Sequence, residues 1–196
     1  MSKSDSHTSK KERNKSIRWV ITIFLVTILV SGVITLVSDE LMAVSSMAVA
    51  FVILLFIVLV GIIFDIVGVA VTSADDKPFN SMAARKVPGS VESLRLLRKA
   101  ERVSSICNDV VGDICGVVSG SASATIAAQL MVNFEFSWER LFSLVMSALV
   151  AGLTVGGKAL GKTYAINSST KIVHFVGRLI RGFHRIGNIF QKKKDS

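Results

Sequence analysis

The chain has little of what a catalytic or metal-holding protein displays. Its 196 residues include only two cysteines and three histidines. Cys107 and Cys115 stand eight apart, a spacing that fits no metal motif, and they fall at or inside an apolar run where no structural disulfide is expected. They read as small buried hydrophobes. The histidines, His7, His174 and His184, all lie in the terminal segments, and no nucleophile stands beside a base, so an enzyme is not expected. Nor is a cleaved leader: the first apolar run is too long, and no small-residue cleavage pattern separates it from the acidic "SDE" that follows.

Charge is scarce over long stretches. Hydrophobic side chains make up 51% of the chain, the mean hydropathy is +0.57, and the apolar residues gather in uncharged runs, which marks a membrane protein. Trp19 to Val37 holds 19 residues without charge and Met47 to Phe64 holds 18, each long enough to cross a ~30 Å hydrocarbon core as a helix. Val110 to Val132, with Asp113 inside it, and Leu141 to Val155, extended to Gly161, are richer in Gly, Ser and Ala, as closely packed spans often are. The expected fold is therefore all-α and polytopic, with about four transmembrane helices.

Acidic and basic residues divide by position. The tail 1–18, the link between spans two and three and the segment from Lys158 onward hold 22 of the 23 basic residues. The links "SDELMAVSS" and "NFEFSWER" contribute only Arg140 and four carboxylates. The excess of Lys and Arg on cytoplasmic loops predicts both termini inside a cell membrane. The same bias accounts for the net charge of +9 without nucleic acid, and points the basic surface at anionic lipid headgroups.

The long link is patterned. "SMAARKV" can start a helix with Ser81 as N-cap, Pro88-Gly89 makes a turn, and Ser90 can cap a second helix with Val91, Leu94, Leu97 and Val103 apolar. Together, 78–106 reads as a helical hairpin at the inner membrane surface. Over 166–191, Ile172, Val176, Leu179, Phe183, Ile186 and Phe190 recur at steps of four and three, while His174, Arg178, Arg181 and Arg185 keep the rhythm on another face. That is an interfacial amphipathic helix with a basic tail, 192–196. In span three, Gly112, Gly116 and Gly120 line one helix face near Ser119 and Ser123, which fits either close helix packing or a polar path.

Depth makes three charged residues informative. At ~1.5 Å per residue, Asp65 lies about 27 Å from Met47, Lys158 about 26 Å from Leu141 and Asp113 about 28 Å from Val132. Lys158 can snorkel to water as an anchor. Alternatively, the three can neutralise one another at one level, sparing a cost of ~2.5–3.5 kcal/mol for a lone charge at the bilayer centre.

The order of elements, with "FDIVGVAVTSA" ending one span and "GGKALGKT" ending another, resembles the transmembrane domain of the cyclin-M and CorC/CorB magnesium-transport family over roughly Met47 to Phe190. The expected units are thus 19–37 as a preceding span and 47–165 as a CorB-like core. The resemblance implies Mg²⁺ as the transported ion, no further cofactor, and, with the glycine stripe, a homodimer. It places Asp65 at the family's serine, Gly68 at its first glutamate, Lys158 at its second and Gly161 at its proline. Ser73, Ser104, Ser105, Asn108, Asp109 and Asp113 are possible oxygen ligands, whereas a charged lysine offers no lone pair and repels a cation. Two functions follow: a divalent cation transporter with altered site residues, or a non-transporting scaffold in which the Lys158 ammonium replaces the ion.

Overall fold

The computed structural model describes residues 3–44, 46–133 and 139–192. Among them every regular element is helical, and four helices contain stretches long and apolar enough to cross a membrane: Ile17–Ser38, Met47–Ser73, Ala100–Gln129 and Leu144–Asn167. The protein is an all-α, polytopic membrane protein. In hydrocarbon a backbone must satisfy its own N–H and C=O groups, so an uninterrupted apolar run has the helix as its solution. The link "NFEFSWER" and the basic tail lie partly outside the described residues.

Helix α1 (Lys3–Val44) takes up most of the expected basic tail as well as the first span. Helix α2 (Met47–Ser73) is central and packs on both α6 (Asp113–Asn133) and α7 (Glu139–Asn167), while α1 leans mainly on α6. Small and branched side chains make these seams. Ala50, Leu54 and Val58 of α2 meet Ala122 and Ile126 of α6; Val110, Ile114 and Val118 receive Ile23 and Val30 of α1. Since lipid is as apolar as leucine, the contacts hold the bundle through close van der Waals packing rather than through transfer from water. Trp19 adds an anchor, with the Arg102 guanidinium 5.2 Å from its ring centroid.

At one end of the bundle sit α3 (Lys77–Ala84), α4 (Ser90–Leu97) and α5 (Ala100–Ser105). Ser81 does not cap α3. The helix starts four residues earlier, because Pro78 has its φ pre-set for a first turn and no N–H to leave unsatisfied, and Asp76 takes the N-cap position. Ser90 is likewise inside α4; the preceding position is Gly89, whose φ of 91° is open to glycine at no steric cost, and the Ser90 hydroxyl donates back to the Val87 carbonyl at 2.7 Å. The expected single helix from Ser90 to Val103 is broken at Arg98–Lys99, where Lys99 leaves helical geometry. Phe79, fully buried among Ala70, Val71, Ala165 and Val173, ties this hairpin to the spans.

From α5 the chain runs through a π-helical segment, Ile106–Gly112, into α6 without a break. After α7, the last helix α8 (Ser169–Lys192) crosses α4. The crossing is backbone on backbone: a Cβ on Gly89 would stand 2.7 Å from the Arg178 nitrogen, and one on Gly177 would stand 2.6 Å from the Gly89 oxygen. The buried Ser93 hydroxyl closes the joint, reaching the Gly89 carbonyl at 2.9 Å and the Val173 carbonyl at 3.1 Å.

Candidate functional site

One face of α2 carries Gly61, Asp65 and Gly68, at steps of four and three, and all three are buried. The glycines let α6 and the π segment approach. A Cβ on Gly61 would meet the Cys115 Cβ at 2.9 Å, and one on Gly68 would overlap the Asn108 side-chain oxygen. Asp65 lies between these two contacts and is 5% exposed.

Two oxygens here have no hydrogen-bond partner: Oδ2 of Asp65 and Oδ1 of Asn108. Asn108 is oriented by its own amide, whose Nδ2 donates to Ser104 Oγ at 3.3 Å, so that Oδ1 is turned toward Gly68. An unsatisfied buried acceptor costs about 1–3 kcal/mol, and more if charged. Two such oxygens, one on α2 and one on the π segment packed against it, are acceptors that a cation can satisfy.

The π segment bears on the same place. Such segments shift the hydrogen-bond ladder by one residue and recur at functional sites. Within it the Gly112 carbonyl receives the Lys158 ammonium from α7, Nζ to O at 3.3 Å, and Gly112 is the residue without a side chain to keep the lysine out. Lys158 therefore enters the bundle as a half-buried cation from α7, a direct neighbour of the helix that carries Asp65.

The three charged residues expected at one level are not joined directly. Among the described residues Lys158 makes its bond to Gly112, and no ion pair within 4.0 Å links it to Asp65 or Asp113. Asp113 is exposed; with Lys158 it lines a groove of about 480 Å³ between α6 and α7 that also carries Ser119, Ser123, Ser147 and Thr154. Ser119 and Ser123 are internally satisfied, Ser119 donating to the Gly116 carbonyl at 3.0 Å and Ser123 to the Gly120 carbonyl at 2.8 Å.

The other candidate ligands separate in the same way. Ser104 and Asn108 belong to the Asp65 side. Ser105 is engaged by Asp109, donating to its Oδ2 at 2.8 Å with Asp109 itself exposed, and Ser73 is exposed at the end of α2. Nor does the glycine stripe pack within the chain beyond Gly112: Cβ atoms on Gly116 and Gly120 would meet nothing within 4 Å. The close approaches fall instead to Gly61 and Gly68 and to Gly157 and Gly161, which receive Ile62 and Ile66 of α2. The α2 stripe was visible as small residues three and four apart around an aspartate. The π segment left no trace in composition.

No group of three His, Cys, Asp or Glu side chains able to hold a metal occurs among the described residues. A cation at Asp65 would rely on one carboxylate together with amide, hydroxyl and carbonyl oxygens, a donor set for a hard ion that keeps part of its water. Compared with protein-family models, curated proteins and solved structures, the chain matches none.

Proposed function

We propose that this protein moves a small hard cation, Mg²⁺ or a close relative, across a cell membrane through a site centred on Asp65 and Asn108. The observation that carries the reading is the pair of partnerless buried oxygens, Asp65 Oδ2 and Asn108 Oδ1, on two packed elements. Asp65, Asn108 and Ser104 would face the ion, which retains several waters because Mg²⁺ dehydrates reluctantly. The resemblance to the cyclin-M and CorC/CorB membrane domain agrees in element order. At Gly68, where that family has a glutamate, the space is taken by the Asn108 side chain, so the negative charge is supplied one turn away by Asp65. Lys158 offsets that charge and lowers the affinity, which favours release.

The distribution of Lys and Arg supports cytoplasmic termini and a hairpin at the inner face. The uncovered Gly116 and Gly120 support a homodimer, in which they would meet a second copy.

One observation favours the other reading, a scaffold that transports nothing: the Lys158 ammonium already holds the Gly112 carbonyl, as a tethered substitute for an ion. Mg²⁺ flux into liposomes containing the purified protein separates the two. Transport predicts flux in the parent, abolished by Asp65→Asn. An inert parent that gains flux on Lys158→Glu would overturn the transport reading and establish the lysine as a plug.

A further inference from the structure

Helix α8 divides into three lines about a third of a turn apart. The first, through Val173 and Gly177, is buried against the hairpin. The second is apolar and uncovered: Phe175 is 61% exposed, Leu179 47% and Phe183 73%. The third is Arg178, Arg181 and Arg185, all exposed. The apolar rhythm seen in the sequence, Ile172–Val176–Leu179–Phe183, therefore serves docking only at its start: Ile172 packs beside Val173, while Leu179 and Phe183 stay exposed. Docking uses Val173 and the small residue Gly177, and Phe175, Leu179 and Phe183 are left over.

We propose that α8 binds an anionic phospholipid surface, with Phe175, Leu179 and Phe183 at the acyl boundary and Arg178, Arg181 and Arg185 among the phosphates. The position fixes the occupant. The fourth span ends at Asn167 and α8 begins at Ser169, so the helix starts at the edge of the bilayer and cannot leave it far. An amphipathic helix at that level, with aromatics on one line and arginines on the next, matches the gradient from hydrocarbon to headgroup. Free interfacial helices roll to suit the lipid they meet. Here the roll is set by the protein, because the Gly89–Gly177 crossing and the Ser93 hydroxyl hold one particular line inward. The site is thus pre-formed, and its arginines cost little reorganisation on binding. Arginine suits this role through its fork of donors, which can grip a phosphate bidentately.

The test uses the full-length protein in nanodiscs, reading hydrogen exchange over α8 and the lipids retained by native mass spectrometry. Discs with anionic phospholipid are expected to protect 174–185 more strongly than zwitterionic discs, and to leave anionic lipid on the released protein. Arg178→Gln, Arg181→Gln and Arg185→Gln together should remove that increment, at about fivefold in binding per arginine. Phe175→Ser with Phe183→Ser should weaken protection in both discs. These positions lie off the docking line, so unchanged protection of the α4 amides in every variant certifies the fold. Equal protection in the two lipids with no effect of the arginine variant overturns the proposal. So does inorganic phosphate that reproduces the anionic effect in zwitterionic discs, which would make the ligand a free anion. Protection insensitive to the phenylalanine variant overturns it as well, assigning the face to a protein.

Discussion

Replacing Asp65 by Asn should make the protein more stable in metal-free buffer. The side chain is nearly isosteric and the site is almost closed to solvent, so packing changes little. What changes is the charge. A carboxylate with a buried, partnerless oxygen carries a penalty of about 1–3 kcal/mol, and intramembrane scales give up to ~3.5 kcal/mol at the bilayer centre, less toward the edge. The Lys158 ammonium offsets part of this, but it is bonded to Gly112 and not to the carboxylate, so its attraction acts at longer range. The net gain expected for Asp65→Asn is about 1–2 kcal/mol. For a chain of this size that is a rise of several degrees in Tm at about 2–4 °C per kcal/mol. Thermal unfolding in detergent with a chelator measures it. Repeating the scan with Mg²⁺ should raise the parent and leave the variant unmoved, because a ligand stabilises only the state that binds it. A variant less stable than its parent under chelator would falsify the reasoning, since it would mean the carboxylate is satisfied.

Gly68→Ala should destabilise by about 1–3 kcal/mol in the same assay, since its methyl group overlaps the Asn108 oxygen and the amide must turn away from Ser104. Gly116→Ala leaves open space around the new methyl within the chain, so in the proposed homodimer it should cost stability by meeting the second copy; a gain of up to about 1 kcal/mol from helix propensity would refute that contact. At the start of α3 the Lys77 backbone N–H donates to Asp75 Oδ1 at 3.1 Å and holds that carboxyl below its ordinary range. Its contribution is complete above the ordinary carboxylate range and disappears as pH falls through the lowered value. Fraying of Lys77–Asn80 should therefore set in only at strongly acid pH, and Asp75→Asn should abolish that acid-dependent step in amide chemical shifts.

The spans were legible because apolar length decides them, and the hairpin turn because Pro88-Gly89 admits few conformations. Local capping preferences misplaced the start of α3: Ser81 is a good cap in isolation, but Pro78 fits the first turn and the burial of Phe79 favours starting there. Asp65 stood out as a charge at depth, and Lys158 likewise. What they touch did not, because it depends on the hydrogen-bond ladder of a third helix. Gly112 became the lysine's partner through a carbonyl, a group every residue owns and no motif marks. Asn108 was one oxygen donor among several until its contact with Gly68 singled it out.

The π segment is also a change of phase. One extra residue in a helical turn advances everything beyond it by about 100°, so the third span is two helices of different register on one axis. Ser104 stands before that joint and Asn108 within it, the Gly116–Gly120 line beyond it. If the segment relaxed to an α-helix, either half would have to rotate against its neighbours, carrying Asn108 off Gly68 or the glycine line round toward α2. A short π-helical stretch thus holds the aim of the Asn108 side chain and the orientation of the Gly116–Gly120 face in one adjustable joint.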